Sequence, residues 1–98
     1  MPLVSLLNFL LKKLRNLSKE NFIPQLSYYM GEINALHPFR EGNGRTSREF
    51  FRTLAWSAGY DLDFSIVDKE ELLYANVQSF IRNYVPMVKI LDKIVSKK

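Results

Sequence analysis

Residues 22–58, which read FIPQLSYYMGEINALHPFREGNGRTSREFFRTLAWSA, predict two helices joined by a short loop. Before the loop, apolar side chains such as Met30 and Ile33 recur at three- and four-residue intervals, which is the spacing of one buried helix face. The first of the two helices is expected to end near His37, because Pro38 disfavours helical geometry in the residue that precedes it.

The second helix of the pair is predicted from about Arg45 to Ala58, with Gly59 as a left-handed cap. Arg45 and Arg48 lie in its first turn, where isolated cations oppose the helix dipole. Their placement makes sense if an anion such as a polyphosphate binds at that helix end through bidentate guanidinium contacts. The apolar residues of the helix occupy the opposite arc and are expected to be buried: Phe50, Phe51, Leu54, Ala55 and Ala58.

On the N-terminal side, leucines between Leu3 and Leu17 recur at helical spacing and predict a further helix. Its leucine-rich face could pack internally or against another chain, which leaves a homo-oligomer open. Ser18 or Asn21 is expected to start the next helix, with Pro24 in its first turn, where a missing N–H costs little.

On the C-terminal side, residues 60–64 are expected to form an extended connection. Ser65 with Asp68 resembles a capping box and predicts a helix through about Ile81. A last helix is expected to begin near Pro86. Five helices, short loops and no clear hairpin predict an all-α fold, a compact bundle that forms one domain over residues 1–98.

The composition is that of a small globular domain, with 98 residues, 47% hydrophobic residues and no cysteine. Disulfides and thiolate metal sites are therefore excluded. No apolar stretch is long enough to cross a membrane and no signal peptide is evident, so a cytoplasmic protein without a membrane partner is expected. The net charge of +4 includes Lys93, Lys97 and Lys98, interpreted as a solubilising helix end, and no nucleic-acid partner is expected.

The loop between the two central helices contains Gly42, Asn43 and Gly44, residues that tolerate positive φ. Successive backbone N–H groups can therefore converge on one point. The following helix adds its free N–H groups and its dipole, which also favour an anion. This arrangement predicts a phosphate cradle.

Two side chains of the same loop point to catalysis. The carboxylate of Glu41 would be electrostatically unfavourable beside a bound phosphate unless a divalent cation such as Mg²⁺ lies between them. His37 is the only histidine and is suited to accept a proton from an attacking hydroxyl near neutral pH. Each has a simpler explanation alone, such as a surface ion pair between Glu41 and Arg45. Their combination favours a site, whereas Arg52 is expected to be solvent-facing or structural.

The segment from His37 to Arg45 resembles the signature of the Fic family, HPFx[DE]GN[GK]R, at every position, and Arg48 extends the match. The resemblance covers roughly residues 18–95. It implies a Fic/Doc-type AMP transferase that moves AMP from ATP onto a Ser, Thr or Tyr hydroxyl of a target protein. Gly44 occupies the place where the phosphorylating Doc-like branch typically has lysine, which favours AMP transfer.

The resemblance also implies a role for each motif residue. His37 would be the general base, and Glu41 would hold the Mg²⁺ that bridges the α- and β-phosphates. The backbone of residues 42–44 would cradle the phosphates. Arg45 and Arg48 would bind the β- and γ-phosphates of ATP and orient the α-phosphate for in-line attack, with pyrophosphate leaving.

Two family features are missing from the sequence. Residues 1–36 contain no strand–turn–strand signal for the β-hairpin flap that clamps targets, so the flap is expected to be absent, either through truncation or because this member docks its targets otherwise. No [ST]xxxE[GN] segment supplies an inhibitory glutamate, so inhibition is expected from a separate antitoxin-like chain or from a further region. The alternative reading is a truncated or inactive Fic core that serves as a nucleotide- or partner-binding helical module.

Overall fold

The computed structural model describes residues 3–36 and 44–98. Within this part of the chain, five α-helices form a bundle beside a two-stranded ribbon, which confirms the predicted all-α fold. The elements are α1 (Leu3–Leu14), α2 (Lys19–Leu36), α3 (Gly44–Ser57), β1 (Tyr60–Leu62), a 3-10 turn (Phe64–Ile66), α4 (Lys69–Phe80), α5 (Val85–Ile94) and β2 (Val95–Lys97).

The core collects the apolar faces of α1, α2, α3 and α5. Its fully buried side chains include Leu10, Leu14, Phe22, Leu26, Phe51, Leu54, Met87 and Leu91. The leucine-rich face of α1 packs internally, because Leu6, Leu7 and Leu11 lie partly buried against this core. The helical periodicity therefore identified the buried faces correctly, and burial of such side chains supplies the main favourable term in folding.

The start of α2 lies where the sequence placed it. The carbonyl of Ser18 accepts hydrogen bonds from the N–H groups of Asn21 and Phe22, so Ser18 is the residue at which the helix opens. Pro24 was expected in the first turn but is the sixth residue of the helix. This proline is exposed, and the carbonyl of Glu20 that loses its N–H partner belongs to an exposed residue, where water can replace the missing bond.

A short antiparallel ribbon joins the end of α3 to the end of the chain, with Tyr60 opposite Lys97 and Leu62 opposite Val95. The sequence predicted only an extended connection for the first of these strands and a solubilising helix end for the second. That interpretation was wrong for Lys97 and Lys98, because the chain leaves the helix at Val95, a buried residue that pairs with the equally buried Leu62. Three-residue strands carry almost no periodic signal.

The entry into α4 also differs from the prediction. Asp68, not Ser65, is the N-cap, and its carboxylate accepts a hydrogen bond from the Glu71 N–H at 3.4 Å. Ser65 lies in the 3-10 turn and donates through its N–H to Asp63 Oδ1 at 3.0 Å. The Ser65 hydroxyl and N–H together lower the pKa of Asp63. Since Val67 is extended, a helix cannot run through it from Ser65.

Candidate active site

The two central helices flank the motif as the sequence predicted, since α2 ends at Leu36 and α3 begins at Gly44. Both helices of the predicted helix–loop–helix are therefore present. The predicted base His37, the predicted metal ligand Glu41 and the cradle residues Gly42 and Asn43 lie outside the described residues. Their roles stay predictions.

Helix α3 has the two-faced arrangement that its sequence predicted. Phe51 and Leu54 are fully buried, and the helix packs mainly on β1 and on α1. Arg45 and Arg48 are both exposed in the first turn and a half of the helix. The buried face fixes α3 to the core, so the two guanidinium groups are offered to solvent from a rigid element.

The first turn of α3 contains no acidic residue that would offset the helix dipole. Within residues 3–36 and 44–98, neither Arg45 nor Arg48 forms an ion pair. Arg52, by contrast, lies 3.8 Å from the carboxylate of Glu49 on the same exposed surface, as expected for a solvent-facing arginine. A helix N-terminus with two cations and no carboxylate among the described residues can bind an anion, and phosphate matches both the charge and the fork of a guanidinium.

The end of α2 that leads into the motif is held by three contacts with α4 and with the turn after it. The Nη1 atom of Arg82 donates to Glu32 Oε1 at 3.0 Å. Asn34 donates from Nδ2 to Asn76 Oδ1 at 3.4 Å. One residue before Glu32, Gly31 lies against the ring of Tyr84, since a Cβ built on Gly31 would lie 2.8 Å from Tyr84 Cε1. We call these six residues the α2 clamp.

The turn that carries Arg82 has an unusual backbone. The N–H of Asn83 donates to the carbonyl of Gln78 at 2.9 Å, which is the outer bond of a Schellman motif at the end of α4. Arg82 occupies the left-handed position of that motif, with φ 63°, where glycine is the usual residue. Glu32 raises the pKa of Arg82 through its negative charge.

Sequence reasoning missed the clamp. Its partners are separated by 42 residues for Asn34 and Asn76 and by 50 for Glu32 and Arg82. Pairs so far apart leave no periodic signal, and only an arginine at a helix end followed by Asn83-Tyr84 hinted at a turn. The contacts become visible only when α2 and α4 are packed together.

Two kinds of feature are absent from the described residues, a metal-binding cluster and a membrane-spanning helix. Residues 3–36 and 44–98 contain no cluster of three histidine, cysteine, aspartate or glutamate side chains that could hold a metal ion. No helix in the same part of the chain combines the length and the hydropathy that a membrane span requires.

Helices α2 and α3, with Arg45 and Arg48 exposed at the start of α3, form a helical core with a cationic helix N-terminus. A sequence model of the Fic/DOC family matches residues 3–55, slightly more than half of the chain. The chain belongs to the Fic/DOC family.

Curated relatives support this assignment. The chain is 51% identical over 70 residues to protein adenylyltransferase VbhT of Bartonella schoenbuchensis, an alignment that covers 71% of this chain and 15% of VbhT. It is 40% identical over 81 residues to Probable protein adenylyltransferase Fic of Escherichia coli, covering 83% of this chain and 40% of that protein.

Solved structures share the fold. The N-terminal Fic domain of a VirB-translocated Bep effector from Bartonella quintana, with bound ADP, superposes with a TM-score of 0.81 at 35% identity and covers 87% of this chain and 40% of that one. BepC of Bartonella tribocorum, with bound AMPPNP, gives 0.83 at 28% identity over 98% of this chain and 48% of that one. The chain spans less than half the length of each of these relatives.

Proposed function

We propose that this chain is the catalytic core of a protein adenylyltransferase, which transfers AMP from ATP to a Ser, Thr or Tyr hydroxyl of a target protein. The observation that carries the proposal is the unbroken Fic motif between α2 and α3, with Arg45 and Arg48 exposed at the start of α3. A binding module has no use for a histidine base beside a metal ligand, whereas a transferase needs both.

The proposed nucleotide site combines backbone and side-chain donors. Gly42, Asn43 and Gly44 offer N–H groups to the phosphates, and the α3 dipole adds a favourable potential. Arg45 and Arg48 bind the β- and γ-phosphates through their guanidinium groups. Both arginines project from a helix whose opposite face is buried in the core, so the phosphates are held in a fixed position relative to the bundle.

The proposed chemical step is an in-line displacement at the α-phosphorus of ATP. His37 accepts the proton of the target hydroxyl as its oxygen attacks. A bond forms between that oxygen and the α-phosphorus, while the bond from the α-phosphorus to the oxygen that bridges to the β-phosphate breaks. AMP is then esterified to the target, pyrophosphate leaves, and the backbone donors of the cradle stabilise the charge that builds on the phosphates.

Glu41 would hold a magnesium ion together with phosphate oxygens. One carboxylate with phosphate oxygens and waters is the donor set that Mg²⁺ commonly uses, so the residues fit the ion. When bound, the ion would neutralise negative charge on the phosphates.

The relatives support this function through the activity in their names and the nucleotides bound in their structures. VbhT is named a protein adenylyltransferase, and the Bartonella quintana and Bartonella tribocorum structures hold ADP and AMPPNP. Since the chain spans under half of these proteins, activity on a protein target is our proposal for this chain. The alternative, a nucleotide- or partner-binding module without turnover, is favoured only if the chain binds ATP and transfers nothing.

Regulation and targeting belong to the same proposal. We place residues 1–98 in one domain, in the cytoplasm, without a nucleic-acid partner. Among residues 3–36, the structure describes two helices and no strand. The absence of a flap stays a prediction. An antitoxin-like chain that inserts a glutamate against Arg45 would lower ATP affinity by removing one phosphate contact. Full ATP affinity in the presence of every co-encoded neighbour would contradict this form of inhibition.

Labelled nucleotides test the proposed reaction. The chain is incubated with magnesium and a cell lysate, once with ATP labelled at the α-phosphate and once with ATP labelled at the γ-phosphate. AMP transfer predicts a labelled protein that appears with the α-label only and is missing from lysate incubated without the chain. Because kinases of the lysate also use the γ-label, only a γ-labelled protein that depends on the chain would show phosphorylation instead. No label from either, with ATP still bound in calorimetry, would favour the binding module.

A further inference from the structure

We propose that Arg82 and Asn76 are positioning residues for the reaction: through Glu32 and Asn34 they fix the end of α2, and with it the catalytic His37. The inference rests on the proposed function for the role of His37. It adds residues outside the motif, from the other half of the chain, to the catalytic arrangement.

The first step of the argument is the location of the contacts. Glu32 and Asn34 belong to the last turn and a half of α2, and Leu36, the final residue of that helix, is covalently joined to His37. Arg82 donates a hydrogen bond to Glu32 at 3.0 Å, and Asn76 accepts one from Asn34 at 3.4 Å. Any movement of the end of α2 relative to α4 would therefore stretch both bonds.

The second step is that α2 and α3 are held by different contacts. The phosphate-binding arginines sit on α3, which is anchored separately by its own buried face. The contacts of the clamp join α2 to α4 and to the turn after it and do not involve α3. The end of α2 also packs into the core through Ile33, so loss of the clamp would loosen this helix end without detaching it. A change of about 1 Å in the position of a catalytic group can cost on the order of a hundredfold in rate, while the arginines on α3 would keep their places.

The third step is the backbone of Arg82. A non-glycine residue in the left-handed region is disfavoured, and such residues concentrate where the surrounding structure needs them. The ion pair of Arg82 with Glu32 is exposed, with 71% of the Arg82 side chain accessible, so it contributes little to global stability. An arginine that gains little in stability from a strained position fits a positioning role.

The variants separate positioning from stability. Arg82→Gly relieves the left-handed strain and removes the ion pair. Asn76→Leu replaces the amide by an apolar side chain of similar size, whereas Asn76→Asp keeps the oxygen that accepts from Asn34. Lys93→Ala is the matched control, because it removes an ion pair with Glu71 that is also exposed and 3.1 Å long but does not touch α2.

Kinetics on the full chain provide the first readout. The Arg82→Gly/Asn76→Leu double variant is expected to lose at least about tenfold in kcat with KM for ATP nearly unchanged. Its melting temperature should stay within about 3 °C of wild type. Asn76→Asp in place of Asn76→Leu should recover part of the loss, and Lys93→Ala should keep the wild-type kcat. A wild-type kcat in the double variant, or a kcat that falls only in step with the melting temperature, overturns the inference.

Proton NMR provides a second readout that does not need activity. His37 gives a single Cε1–H signal because the chain contains one histidine. At fixed pH, the double variant should move this signal toward the position of histidine in an unfolded peptide, and Lys93→Ala should not. An unmoved signal, or a wild-type signal already at the unfolded position, overturns the inference. If wild type transfers no AMP, the proposed function fails while this comparison still decides the clamp.

Discussion

The ring of Tyr84 lies against the bare α-carbon of Gly31, so close that a Cβ at Gly31 would lie 2.8 Å from Tyr84 Cε1 and 3.4 Å from Ser79 Cβ. The glycine therefore allows α2 to approach the turn between α4 and α5. The same ring packs edge-on against Tyr28 at a centroid distance of 6.0 Å, which limits how far it can retreat.

Gly31→Ala should consequently destabilise the fold although alanine is the better helix former. Overpacking costs about 1–3 kcal/mol, which outweighs a propensity gain of about 1 kcal/mol. Urea unfolding of the variant measures the difference. In a Tyr84→Ala background the clash is gone, and the same substitution should become neutral or stabilising. A stabilising effect of Gly31→Ala in the wild-type background would show that the ring moves aside freely.

At Ser27, in contrast to Gly31, substitution by alanine should stabilise the fold. Its Oγ is buried and has no hydrogen-bond partner among the described residues. Ser27→Ala removes this unsatisfied group and raises helix propensity, so the free energy of unfolding should rise by about 1 kcal/mol. Ser79→Ala is the matched control, because the Ser79 hydroxyl donates to the Ala75 carbonyl at 2.9 Å. The free energy of unfolding should change less in Ser79→Ala than in Ser27→Ala. A loss of stability in Ser27→Ala would indicate that a bound water satisfies the Ser27 hydroxyl.

The proposed phosphate contacts can be tested on two arginines of the same helix. Arg45→Ala should weaken Mg-ATP binding by about tenfold or more, since a hydrogen bond to a charged group is worth about 1.5–3 kcal/mol. Arg52→Ala should change the affinity by less than about twofold, because Arg52 is paired with Glu49 on the surface and such pairs contribute little. Calorimetry decides, and equal losses in the two variants would contradict a specific role for Arg45.

The sequence predicted the helices and the arginine face of α3 because both follow from local spacing. Phe51 and Leu54 repeat at helical intervals, and Arg45 and Arg48 fall on the other side of the same helix. The motif loop could be interpreted for the same reason, since its residues are contiguous.

The remaining features depend on contacts across the chain or on choices between equivalent local signals. The pairing of Leu62 with Val95 joins distant residues in strands too short to show alternation. Asp63, Ser65 and Asp68 are all competent caps, and the extended Val67 decided between them. Apolar residues of α4 such as Leu73 and Val77 are more than half exposed, so hydropathy alone could not locate its buried side.

The most direct test of the central claim compares wild type with His37→Ala in the presence of α-labelled ATP, magnesium and a cell lysate, with ATP binding measured in parallel by calorimetry. We expect a labelled protein with wild type only and nearly equal ATP affinity for the two, since His37 acts on the hydroxyl and not on the phosphates. Labelling by His37→Ala at the wild-type rate, or joint loss of binding and transfer, would contradict its role as the base.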